Sequence, residues 1–167
     1  MDDISAGLAN SVWAFGSGKG GVGKTFLTSN IGILLAQEGY NVVLFDGDMV
    51  GPNLHTALGV GRPQKALSDF ILGKVDSLEE LLVPTKYKNL SLIPGAENAL
   101  NADNPNYTFK KKLKKKLHAL KHDFIIMDNG SGAGFGVTDL MTIGDTGILV
   151  TSPDPSSVEL VYRSLKV

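Results

Sequence analysis

Residues 16–25 read GSGKGGVGKT, and the segments on either side of them decide the fold. Upstream, Val12–Phe15 (VWAF) is a short β-prone run; downstream, Lys24–Glu38 reads as one amphipathic helix that stops at Gly39. Gly18 to Thr25 fit the pattern G-x-x-x-x-G-K-[ST], and strand, loop and helix in that order are the context in which the pattern has physical meaning. The glycines let successive backbone N–H groups turn inward around phosphate oxygens, while the helix N-terminus adds partial positive charge. On this reading Gly18, Lys19, Gly20, Gly21, Val22, Gly23, Lys24, Thr25 and Phe26 form a nucleotide cradle. Lys24 reaches the β- and γ-phosphates, and Thr25 offers its hydroxyl to Mg²⁺.

Working outward, Asn41–Phe45 (NVVLF) is a buried-type strand that ends at Asp46, and Leu90–Ile93 (LSLI) is closed by Pro94-Gly95. Asp123–Met127 (DFIIM) ends at Asp128 and runs into a second glycine cluster, Gly130, Gly132, Gly134 and Gly136; Ile148–Val150 is a further strand. Helices are expected over Ala66–Leu72, Ser77–Leu82, Tyr107–Leu120 and, after Pro153 and Pro155, Ser156–Val167. In the third of these, Phe109, Leu113, Leu117 and Leu120 form one narrow apolar stripe. The alternation predicts an α/β fold, a parallel sheet with helices on both faces, with ligands gathered at the C-terminal strand ends. No repeat or linker divides the chain, so residues 1–167 read as a single nucleotide-binding domain.

The chain has 167 residues and no cysteine, with 43% hydrophobic and 20% charged side chains, enough apolar content for one soluble domain with a core. Without cysteine there is no disulfide framework, cysteine zinc site or thiolate-bound iron–sulfur cluster, and the usage fits a reducing compartment. The opening MDDISAGLAN lacks the basic and apolar regions of a signal peptide, and no apolar run approaches the ~18 residues of a membrane span. The expected location is cytoplasmic, with peripheral contact at the inner membrane face left open. The net charge of −1 hides a segregation: residues 110–121 (KKKLKKKLHALK) carry seven of the 16 basic residues and no acid.

The extra lysine in KGGVGKT, Lys19, resembles the deviant Walker A loop of the MinD/ParA family, a branch of the P-loop NTPases. The resemblance implies ATP and Mg²⁺ as cofactors and a homodimer in the ATP-bound state. It also implies that Lys19 crosses to the partner's nucleotide, acting with Lys24 and Asp48 in catalysis. The segment DGDMVGPNLHTALG, from Asp46, resembles the family's switch I; Asp46 would then lie in the magnesium hydration shell and Asp48 would orient the attacking water. Asp128 matches the Walker B acid, so the expected metal set is Thr25, Asp46 and Asp128. The following NGSGAG departs from the family's DTPAG or DLGAG at Asn129, which bears on switch II and on turnover. LSDFILGKVDSLEELL (67–82) is similar to the branch of flagellar-number and cell-division ATPases. TSPDPSSVELVYR (151–163) resembles a segment near the family's dimer and activator surface. From the residues alone that segment is equally a proline turn with Ser156 or Ser157 capping a helix.

The resemblance implies a Mg-ATP-dependent, slowly hydrolysing switch with a protein activator, controlling the position or number of a flagellum, pilus or division site. The alternatives are a partition-type ATPase that holds DNA nonspecifically, and a nucleotide-binding scaffold with little turnover. The Lys110–Lys121 stretch is either a solvated helix face or a contact for DNA or anionic membrane. His118 within it reads as a surface residue. Family members continue beyond the equivalent of Val167, so the chain is expected to be a fragment or a reduced form.

Overall fold

The computed structural model describes residues 10–96, 107–132 and 135–166. The readings made on residues 1–9 and on Gly134 and Val167 lie outside them. The order is β1 (Ser11–Ser17), α1 (Lys24–Gln37), β2 (Val42–Gly47), α2 (Leu54–Ala57), α3 (Leu67–Ile71), a single 3-10 turn (Glu79–Leu81), β3 (Val83–Pro84) and β4 (Leu90–Ile93). It continues with α4 (Tyr107–Ala119), β5 (Phe124–Ser131), α5 (Phe135–Met141), β6 (Thr146–Leu149) and α6 (Pro155–Ser164). The described strands form one sheet in the order β3-β4-β2-β5-β1-β6. All neighbours are parallel except β3, which pairs antiparallel with β4 through Val83–Leu92 and Pro84–Ser91. The parallel sheet is thus confirmed, with the correction that its β3 edge is antiparallel. A two-residue strand carrying a proline is a usual way to blunt an edge.

Alternation along the central strands divides the core into two layers. Val12, Ala14, Val43, Phe45, Ile125 and Met127 face one side, where Leu67 and Phe70 of α3, Leu113 and Leu117 of α4, and Leu140 of α5 cover them. Phe15, Val42, Leu44, Phe124 and Ile126 face the other, under Ala36 of α1 and Leu54 of α2. The stripe expected on α4 is real: Leu113, Leu117 and Leu120 are fully buried, with Phe109 partly buried beside them.

Helix α1 corrects the amphipathic reading. Its buried positions are Lys24, Thr28, Ser29, Gly32 and Ala36, small or polar residues, while Phe26 and Leu34 are exposed. Small residues let the helix axis approach the sheet closely: a Cβ on Gly32 would lie 2.8 Å from Cδ2 of Leu44. Three further expectations shift. Ser77–Leu82 forms only the 3-10 turn, α2 and α5 appear where no helix was expected, and β5 runs through Asn129 and Gly130 to Ser131 where a loop was expected. The cap of α6 is neither Ser156 nor Ser157 but Asp154, which accepts the Ser157 N–H at 3.0 Å, with Pro155 in the first turn.

Strand β5 lies between β1 and β2, so the β1–α1–β2 connection steps over a strand and opens a crevice at the C-terminal ends. The glycine loop, the end of β2 and the end of β5 all meet there.

Candidate functional site

The loop after β1 wraps a hollow of about 400 Å³ lined by Ser17, Gly20, Gly21, Val22, Gly23, Lys24, Thr25, Phe26, Asp48, Asn53 and Ser131. Gly21 and Gly23 hold φ values of 80° and 94°, a left-handed backbone that side chains disfavour. Gly23 is also the N-cap residue of α1, so the turn that starts the helix shapes the loop's floor. Two of the expected cradle residues stand outside the lining. Gly18 is pressed against α6, where a Cβ would come within 2.6 Å of the Leu160 and Val161 backbone. Lys19 points to the start of the same helix, its ammonium 3.3 Å from Ser156 Oγ and 3.8 Å from Asp154 Oδ1, with half of its side chain exposed.

Asp128 lies behind the lining. Its Oδ1 pairs with Lys24 Nζ at 2.8 Å and its Oδ2 accepts the Thr25 hydroxyl at 2.6 Å. The ion pair is buried, with side-chain exposures of 9% for Lys24 and 3% for Asp128. Asp46 is the register partner of Asp128 on the neighbouring strand and is 1% exposed. Its Oδ2 accepts Leu54 N–H at 3.0 Å and its Oδ1 accepts Asp48 N–H at 3.2 Å. Burial pushes the Asp46 carboxyl up to about 6; the two N–H bonds oppose this, and the charges of Asp128 and Asp48 add to it. Asp48 lines the hollow while its Oδ1 accepts the N–H groups of Val50 and Gly51, so the local turn role and the cavity position coexist.

The donor set suits magnesium. No group of three or more His, Asp or Glu suited to a metal occurs among the described residues. Magnesium is usually held by one or two carboxylates together with a hydroxyl, waters and substrate phosphates, and dedicated protein cages for it are unusual. Thr25, Asp46 and Asp128 offer hard oxygens of that kind, and of the two adjacent buried carboxylates only Asp128 is paired with an ammonium, which leaves negative charge for a cation to offset.

The profile of the AAA_31 family, described as an AAA domain, matches residues 10–165. The chain belongs to the MinD/ParA family of P-loop ATPases. It is 36% identical over 141 residues to the septum site-determining protein MinD of Thermotoga maritima, covering 83% of this chain and 51% of that protein. It is 30% identical over 156 residues to the flagellum site-determining protein YlxH of Helicobacter pylori, covering 92% and 52%. Among solved structures, MinD of Pyrococcus horikoshii complexed with Mg-ADP superposes with a TM-score of 0.80 at 32% identity, covering 93% of this chain and 65% of that one. The chain therefore spans about half the length of these curated relatives.

Of the residues expected at the site, Gly20 to Phe26 and Asp48 line the hollow, Asp46 and Asp128 back it, and Gly18 and Lys19 are held against α6. Sequence reading missed Ser17, Asn53, Ser131 and Asp154. Asp154 had a visible signal, an Asp directly before a helix-opening proline. The hydroxyls of Ser152 and Ser156 and the Ser157 N–H hold its carboxyl well below the usual range, so it stays anionic beside Lys19.

Proposed function

We propose that this chain is the nucleotide-binding module of a Mg-ATP-dependent switch of the MinD/FlhG type. Loaded with ATP it dimerises across the two nucleotides, hydrolyses slowly under a protein activator, and returns to monomer. The output is control of the position or number of a cellular structure such as a flagellum, pilus or division site. The observation that carries this reading is the convergence of Lys24, Thr25 and the buried Asp128 beneath a left-handed glycine loop. When bound, magnesium supplies positive charge to the phosphate oxygens. Thr25, Asp46 and Asp128 are the residues that would hold it. Lys24 exchanges its carboxylate partner for phosphate, and Asp48, at the cavity wall, is placed to orient a water.

Lys19 supports the dimer. It lies outside its own cavity, half exposed, on contacts with Asp154 and Ser156 that a partner's phosphate could replace. Light scattering with Mg and a non-hydrolysable ATP analogue tests this: the wild-type chain should double its mass and Lys19→Ala should stay monomeric. Identical monomers in both would defeat the sandwich.

A second reading, a partition-type ATPase tethered to DNA, is favoured by one observation. Along α4, Lys110 is paired with Asp139, Lys112 lies over the Phe70 ring and His118 sits 3.5 Å from Asp145. Lys111, Lys114 and Lys115 are exposed and make no ion pair among the described residues. A gel shift at low salt that disappears when these three are neutralised would support the tether. Anionic vesicles in the same assay distinguish a membrane contact; among the described residues no helix is long and apolar enough to cross a membrane. Phosphate release that Asp48→Ala abolishes would exclude a scaffold without turnover.

A further inference from the structure

Asn129 follows Asp128 on the central strand β5, is fully buried, and its amide oxygen Oδ1 has no hydrogen-bond partner. Buried amide oxygens are nearly always paired, so this one needs another explanation. Its Nδ2 donates to the Met141 thioether on α5 at 3.5 Å, a weak acceptor. The oxygen itself faces the neighbouring strand. Asn129 is the register partner of Gly47, the last residue of β2, and Oδ1 lies 2.5 Å from where a Cβ on Gly47 would stand. A bare glycine Cα–H can meet a carbonyl oxygen that closely, and no side chain could stand there unless the amide moved.

Gly47 is the one residue between Asp46, which backs the hollow, and Asp48, which lines it. Beyond it the backbone has little slack: Asp48 N–H is tied to Asp46 Oδ1 at 3.2 Å, and Asp48 Oδ1 holds the N–H groups of Val50 and Gly51. A displacement of Gly47 therefore carries Asp48 with it. On the other side of Asn129, Met141 continues the row, its Sδ 2.7 Å from where a Cβ on Gly16 would stand, two residues before Gly18. The Asn129 amide is thus packed between the strand end that bears the two aspartates and, through Met141, the strand end that opens the phosphate loop.

We propose that Asn129 is a positioning residue for hydrolysis: its side chain, seated on Gly47, fixes the strand end between Asp46 and Asp48 and with it the place of Asp48 on the cavity wall. Asn129 and Gly47 are a matched pair, since the amide fits because position 47 carries no side chain. This rests on the reading of Asp48 as the residue that orients the attacking water.

Steady-state phosphate release at saturating Mg-ATP tests the pair, with KM from the titration and each rate corrected for folded fraction by circular dichroism. In Gly47→Ala the new methyl group and Oδ1 must separate by about 1 Å to reach ordinary contact, and a misplacement of that size costs up to about hundredfold in rate. The variant should lower kcat at least about tenfold and leave KM within about threefold. Adding Asn129→Ser to Gly47→Ala removes the obstructing oxygen and should return kcat to within about threefold of wild type, an outcome that independent structural losses cannot give. Asn129→Ser alone opens space instead of filling it and should lower kcat about threefold at unchanged KM. A wild-type kcat in Gly47→Ala, or a double variant no faster than it, overturns the role of Asn129 while the hydrolysis reading stands. If Gly47→Ala does not fold, a wild-type kcat in Asn129→Ser overturns it in the same way. A wild-type chain that binds Mg-ATP and releases no phosphate ends the hydrolysis reading, and the role of Asn129 with it.

Discussion

Replacing Asp128 with alanine should destabilise the nucleotide-free chain far more than replacing the whole ion pair. The pair is almost fully buried, with Lys24 Nζ 2.8 Å from Asp128 Oδ1 and exposures of 9% and 3%. Deleting the carboxylate strands the ammonium in a poorly solvated position, which costs about 3–5 kcal/mol. The Thr25 hydroxyl loses its 2.6 Å acceptor as well, but Thr25 is only partly buried and water can take over. For a chain of this size the loss corresponds to a fall in Tm of roughly 6–20 °C. The double variant Lys24→Met with Asp128→Leu removes both charges and fills the space with apolar atoms. It should recover at least about 2 kcal/mol relative to Asp128→Ala, because desolvation of an unpaired charge is no longer incurred. Magnesium-free ADP offers a second arm, since phosphate gives the stranded Lys24 a partner; it should stabilise Asp128→Ala more than it stabilises the wild-type chain. Urea unfolding followed by circular dichroism measures all of these. A double variant no more stable than Asp128→Ala would refute the coupling, and equal stabilisation by ADP would refute the exchange of partners.

Asp46→Asn should stabilise the nucleotide-free chain at neutral pH. The carboxyl is raised from 3.8 to about 6, so the folded state holds its proton more tightly than the unfolded state, and that stability is lost as pH climbs through this window. At pH 7 the ionised form costs about 3 kcal/mol, and asparagine forfeits about 1 kcal/mol at one of the two N–H contacts. The net gain of roughly 2 kcal/mol should vanish below pH 4 in pH-resolved urea melts, and magnesium-dependent nucleotide binding should weaken in the same variant. Gly32→Val should cost about 1–3 kcal/mol by overpacking against Leu44, whose Cδ2 stands 2.8 Å from the new Cβ, with a lowered urea midpoint as the readout. The triple change of Lys111, Lys114 and Lys115 to Glu should alter stability by no more than about 0.5 kcal/mol per site, because all three are exposed, while removing any salt-dependent binding to anionic surfaces.

The frame of the fold was legible because the strands are short apolar runs ending in glycine or aspartate, which needs no tertiary information to see. Asp46 and Asp128 were recognisable as strand-end acids, and the structure makes them register neighbours. What escaped depends on packing. The fully buried face of α1 is made of Thr28, Ser29, Gly32 and Ala36, while Ile31, Ile33 and Leu35 are only partly buried and Phe26 and Leu34 are exposed, so apolar periodicity did not mark the face that meets the sheet. The NGSGAG stretch reads as a loop by composition, yet pairing with β1 draws Asn129 to Ser131 into β5 and delivers Ser131 to the cavity. The four-residue α2 is too short for any periodic signal, and Asp46 helps to fix its start by accepting the Leu54 N–H.

Gly18 sits so close to α6 that any side chain would collide with the Leu160 backbone, and Lys19 rests on the first turn of the same helix. The phosphate loop is therefore shaped by a segment some 140 residues away in sequence as well as by its own glycines. A load placed on α6, by a docked protein or by a displaced helix end, would reach the loop through direct backbone contact. A chain clipped ahead of Asp154 would keep every letter of GKGGVGKT and lose the wall against which the loop is set, so possession of the motif and capacity to grip phosphate would come apart.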